Sequence, residues 1–128
     1  MPTSDHSSRT LTIGHLVESL DDRGVAAALG DLAAAAPDTG FRVVVVALAP
    51  SGHSDVAERM ARAGAPPVEL NVAPWDPRAV LKVLAAFREH GVDLVHTHGA
   101  RPDVVGSAAA ARLRVPAVST LHHIHEHP

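Results

Sequence analysis

The sequence predicts an open α/β sheet, with parallel strands in the middle and helices on both faces. Three observations point there. Apolar β-branched runs alternate with helical stretches from residue 10 onward. The clearest run, Phe41-Arg42-Val43-Val44-Val45-Val46-Ala47-Leu48, is apolar almost throughout, the pattern of a strand covered on both sides. Two later runs, Val92-Asp93-Leu94-Val95-His96-Thr97-His98-Gly99 and Val115-Pro116-Ala117-Val118-Ser119-Thr120-Leu121-His122, each deliver histidine where a strand stops. Open α/β sheets keep their ligands there, outside the carboxyl ends of the strands.

The elements follow in order. Leu11-Thr12-Ile13-Gly14-His15-Leu16 reads as the first strand. Asp21 and Asp22 can cap a helix reaching about Ala36, with Val25, Leu29 and Leu32 along one face and Pro37 as its stop. The valine run is the second strand. Asp55, with Glu58 three residues on, opens a second helix that Gly64 closes. Val68-Glu69-Leu70-Asn71-Val72 is a weaker strand. Asp76 caps a third helix and Pro77 fills its first turn; Val80, Leu84 and Phe87 mark its buried face, and His90-Gly91 ends it. Trp75, just before it, reads as a staple on the helix end. The fourth strand is expected from Val92 to His96, a fourth helix from Pro102 to about Leu113, and a fifth strand from Ala117 to Thr120.

Five strands alternating with four helices make a Rossmann-like three-layer arrangement with a parallel sheet. The expected strand order is 3-2-1-4-5, with the flavodoxin-like 2-1-3-4-5 as its competitor. In the first of these orders, strands one and four are neighbours, and the crevice between them faces the loop after strand one and the segment His96–His98.

Composition bounds the function. The 128 residues suit one domain over 10–128, after a polar lead-in at 1–9 expected to be disordered. The chain is 46% hydrophobic but 2% aromatic, with Phe41, Trp75 and Phe87, so its core must be Ala, Val and Leu. Such a core buries less area per residue, which predicts modest stability. A net charge of -3 gives no basic footprint for nucleic acid. There is no cysteine, hence no disulfide and no thiolate zinc site, which mildly favours the cytoplasm. No apolar run approaches the roughly 18 residues of a membrane span. The polar start lacks the apolar region of a signal peptide.

His96 and His98 stand two apart, so an extended strand presents both on one face. A metal reading would need a third ligand and a hydrogen-bond partner behind each ring. His96 reads instead as a satisfied, half-buried histidine. The tail His122-His123-Ile124-His125-Glu126-His127 offers several imidazoles and a carboxylate, which motivates a His-rich metal-binding protein as one alternative. The other reading is a loop rich in histidine by chance, and no metal cofactor is expected.

The ordered pair Asp93-Leu94-Val95-His96-Thr97-His98 and Val118-Ser119-Thr120-Leu121-His122, behind a first strand, the loop Glu18-Ser19-Leu20-Asp21-Asp22-Arg23-Gly24-Val25 and a valine-rich strand, resembles a known family. It is similar to the N-terminal, acceptor-binding domain of GT-B glycosyltransferases of the family 4, retaining type. The resemblance implies transfer of a glycosyl group from a nucleotide-sugar donor to an acceptor, with no cofactor. It places Gly24 in the loop that approaches the donor diphosphate. Arg23 stands where the family has a first glycine, and its guanidinium can pair with phosphate. His122 matches the histidine at the reaction centre. His98, with Thr97 and Arg101 beside it, falls on the acceptor side. Arg101 also reads as a solvated surface charge. The donor-binding domain is absent from these residues, so a truncated or split enzyme inactive alone is expected. A non-catalytic module that dimerises through the surface left by the missing partner is the remaining alternative.

Overall fold

The computed structural model describes residues 10–21, 23–50, 55–73 and 76–120, with Arg23 described by its backbone only. Its elements are β1 (Leu11–Val17), α1 (Arg23–Ala35), a 3-10 turn (Ala36–Asp38), β2 (Phe41–Ala47), α2 (Asp55–Arg62), β3 (Val68–Glu69), α3 (Ala79–Glu89), β4 (Leu94–His98), α4 (Ala100–Leu113) and β5 (Ala117–Thr120). All pairings are parallel and the order is β3-β2-β1-β4-β5, the order expected from the sequence.

The alternation of side chains sorts the core into two layers. Val43 and Val45 of β2, with Val17 of β1, pack under Val25, Ala26, Leu29 and Ala33 of α1 and Met60 of α2. Val44 and Val46 of β2, Leu16 of β1 and Val95 of β4 face the other way, against Val83, Leu84 and Phe87 of α3 and Val105 and Ala109 of α4. Phe87 has no accessible surface and is the largest fully buried side chain among the described residues. It presses on Gly14, where a Cβ would lie 2.9 Å from its ring. The small residue in β1 is therefore what lets the Phe87 ring reach the sheet.

Several boundaries differ from the sequence reading, each for a local reason. β4 begins at Leu94, because the Val92 N–H is taken by the Phe87 carbonyl at the end of α3, 3.1 Å away. It extends through His98, where the Gly99 N–H continues the ladder to the Thr120 carbonyl at 3.2 Å. Both His96 and His98 therefore lie within the strand. β3 is two residues long, although Leu70 and Val72 still donate to the Ala47 and Leu48 carbonyls. Leu32 is 48% exposed, and Ala33 takes the place expected for it in the core. The first helix ends at Ala35, just before Pro37 as expected, and Pro37 then sits in a 3-10 turn. α3 starts at Ala79, preceded by Asp76, whose carboxylate accepts the Arg78 N–H at 2.9 Å. The hydrogen bonds from Arg78 hold that carboxyl below its usual pKa. α4 starts two residues before Pro102, at Ala100. Asp22, Trp75 and His122 lie outside the described residues.

Candidate functional site at the carboxyl edge of the sheet

β1 and β4 lie side by side in the middle of the sheet, at the point where the strand order reverses. Their register pairs His15 with His96 and Val17 with His98. Registered partners in a parallel pair point to the same face. His15, His96 and His98 thus share one face, while Val95 and Thr97 occupy the other.

The three imidazoles touch. The ring centroids are 5.1 Å apart for His15 and His96, 5.2 Å for His15 and His98, and 4.3 Å for His96 and His98. His15 Nδ1 and His98 Nε2 share a hydrogen bond of 3.0 Å. His96 Nε2 and the Thr120 hydroxyl are 2.6 Å apart, which ties β4 to β5. His15 is 3% exposed. Burial, then the neighbouring His98 and His96, push its pKa down from 6.5 to about 3. A cation there would lose hydration and meet two rings that also take up protons, so His15 is neutral in the folded state. His96 and His98 are half-buried.

Thr97 corrects the acceptor expectation. It has no accessible surface, and its hydroxyl donates to Asp103 Oδ1 at 3.1 Å inside the α4 layer. Gly106 lets α4 approach: a Cβ there would lie 2.4 Å from the Thr97 methyl group. An acceptor cannot reach Thr97 without displacing the helix.

Arg101 is neither an exposed charge nor a group held open for a ligand. Its Nη1 donates to the Ala73 carbonyl at 3.1 Å and its Nη2 to the Val72 carbonyl at 3.2 Å. Nε lies 3.0 Å from Glu18 Oε1 in an ion pair, but its N–H is not aimed at that oxygen and meets no other acceptor among the described residues. One guanidinium thereby braces the loop after β1, the loop after β3 and the start of α4. Gly24 is exposed, and it is the second residue of α1 rather than part of the preceding loop. Gly99 makes the turn from β4 into α4 with φ of 107°, a region where a side chain is strained.

The reading of the sequence missed His15. The signal was available in part. Ile13, His15 and Val17 alternate onto one face, and the expected strand order puts β1 against β4. The register alone decides whether His15 meets the histidine face or the Thr97 face.

The fold and this edge define a Rossmann-like domain with its candidate site at the carboxyl ends of the strands. Residues 23–127 match the model of Glycosyltransferase Family 4, and the chain belongs to that family. Among solved structures, it is similar to a glycosyltransferase from Rickettsia africae ESF-5, with a TM-score of 0.73 at 16% identity over 93% of this chain and 31% of that one. It is also similar to MurG of Acinetobacter baumannii, with a TM-score of 0.62 at 13% identity over 87% of this chain and 35% of that one. The C-terminal domain of the PF1911 hydrogenase from Pyrococcus furiosus superposes comparably, with a TM-score of 0.64 at 16% identity over 88% of this chain and 92% of that one. At such identities the likeness is one of fold. The chain spans about a third of the length of the first two structures. No curated protein matches the sequence. No helix among the described residues is long and apolar enough to cross a membrane.

Proposed function

We propose that this domain is the acceptor-side half of a retaining GT-B glycosyltransferase that works in the cytoplasm on a nucleotide sugar. The observation that carries the reading is the match to the family over residues 23–127, on a domain whose loop after β1 and β4–α4 turn meet at the switch point of the sheet. Glu18, Arg101 and the carbonyls of Val72 and Ala73 hold those loops in one arrangement. A rigid rim of this kind suits a group that must position an acceptor, since positioning is a large part of the barrier in bimolecular transfer.

In this reading the first turn of α1, with Gly24 and Arg23, faces the donor diphosphate and stabilises charge through backbone N–H groups and the guanidinium. His98 lines the acceptor side. His122 stands at the reaction centre, where an imidazole can donate to a sugar hydroxyl or accept its proton. The donor-binding half supplies the rest of the charge stabilisation as the phosphate departs. The 128-residue chain by itself leaves the cleft one-sided and wet, so it is catalytically silent.

The test is transfer from a panel of nucleotide sugars, with the polypeptide alone and fused to the donor-binding domain of a family 4 enzyme. Transfer is expected only in the fusion, with the product keeping the donor's anomeric configuration. Turnover by the polypeptide alone, or an inverted product, overturns the corresponding part of the reading.

A second reading rests on β5. Ala117, Val118 and Ser119 are exposed, Val118 at 48%, and the outer edge of β5 pairs with no strand among the described residues. Edge strands of that kind are templates for pairing with another chain. Self-association through β5 predicts a dimer in sedimentation velocity that Val118→Lys dissociates, and a monomer at high concentration excludes it.

A further inference from the structure

The cluster formed by His15, His96 and His98 is independent of the transferase reading. These residues come from two adjacent strands near the centre of the sheet, where the backbone is held by ladder hydrogen bonds on both sides. Each contributes one ring nitrogen, and the three nitrogens lie within 4.8 Å of one another. One pair, His15 Nδ1 and His98 Nε2, is already at 3.0 Å. A tetrahedral ion with metal–nitrogen bonds of 2.0–2.1 Å sets its ligands about 3.3 Å apart. The rings now lie within 22° to 37° of parallel. Bringing their lone pairs to a point takes rotation about χ2, a soft torsion in histidine.

The geometry points to a binding site for a divalent transition metal of the zinc and cobalt class, with His15, His96 and His98 as its three ligands. The donor set selects that class. Three imidazoles suit zinc, cobalt and nickel, whereas magnesium and calcium want oxygen, and among the described residues no carboxylate joins the group. The Thr120 hydroxyl lies against His96 at 2.6 Å and fixes that ring, as the group behind a metal-bound histidine does. His15 forms the buried floor, and His96 and His98 are half-buried, so the fourth position opens toward the crevice. Bound there, the ion would join β1 to β4 and hold one water or substrate oxygen at the carboxyl edge.

The tail His122-His123-Ile124-His125-Glu126-His127 offers further imidazoles that would confuse a titration, so the test begins by removing them. In the full chain, His122, His123, His125 and His127 are all replaced by Gln, and the protein is stripped with EDTA and titrated with zinc chloride in a calorimeter. One ion per chain is expected. The His98→Gln change should then weaken binding by about 100-fold or more, beyond the 10–100-fold that loss of a supporting group costs. Thr120→Val should weaken it roughly 10-fold. His96→Gln and His98→Gln are preferred to a change at His15, whose burial couples it to folding, and circular dichroism checks that each variant is folded. Cobalt added to the stripped protein should give the intense visible bands of a four-coordinate ion, lost in His98→Gln. Less than one ion bound in the tail variant overturns the site, and so does a zinc affinity that folded His98→Gln leaves unchanged.

Discussion

The two faces of β4 differ although their residues alternate along five positions. On one face, Val95 and Thr97 are sealed under α3 and α4, with the single polar group, the Thr97 hydroxyl, satisfied by Asp103. On the other, His96 and His98 are half-buried and bonded to one another's neighbours, His15 and Thr120. The sealed face shows what the strand needs for stability, and the histidine face shows what it can offer to chemistry. Substitution should separate the two roles, with large stability effects on the first face and large ligand effects on the second.

The largest effect is expected at the centre of the sealed face. Phe87→Ala removes the largest fully buried side chain among the described residues and should cost about 3–5 kcal/mol, read as a lower urea midpoint at an unchanged slope. A cost below 1 kcal/mol would mean that this face is not the main core.

The next effect comes from His15, whose burial gives the histidine face its own hold on stability. Its folded pKa is lowered to about 3 from 6.5, so between those values the unfolded chain binds a proton that the folded chain excludes. Stability is complete above pH 6.5 and falls as the pH drops through the window, at up to about 1.4 kcal/mol per unit. In EDTA-treated protein, a loss of about 2 kcal/mol is expected from pH 7.5 to pH 5. Urea unfolding at both values checks it, and the same loss in His15→Gln would refute the assignment.

Thr97→Val keeps the shape of the sealed face but leaves Asp103 without its hydroxyl donor. A cost of about 1–2 kcal/mol is expected in the same unfolding experiment. The smallest effect belongs to the half-buried His98. His98→Gln disturbs the 3.0 Å bond to the buried His15 and should cost about 0.5–1 kcal/mol. A larger loss would make the histidine face structural too and erase the contrast between the faces.

Much of the fold was legible in the sequence, because parallel strands covered on both sides must be written as apolar runs. The valines of β2 show this. Connection rules left two strand orders open, and the structure takes the first of them. Boundaries were less legible where the chain had a competing partner: β4 slides two residues as α3 claims the Val92 N–H, and Leu32 faces solvent while Ala33 packs in the core. The sequence offers Arg101 only as a surface charge or a ligand group, since nothing in it places that side chain beside the carbonyls of Val72 and Ala73, 28 residues or more away.

The sequence by itself determined that His96 and His98 share one face, since side chains alternate along any strand. Only the tertiary structure decided that His15 joins them. A slip of one residue between β1 and β4 would turn His15 toward the layer that holds Thr97, and local sequence carries no term for that choice. The register is set by packing across the whole sheet, by Phe87 against Gly14 and by α1 over Val17, Val43 and Val45.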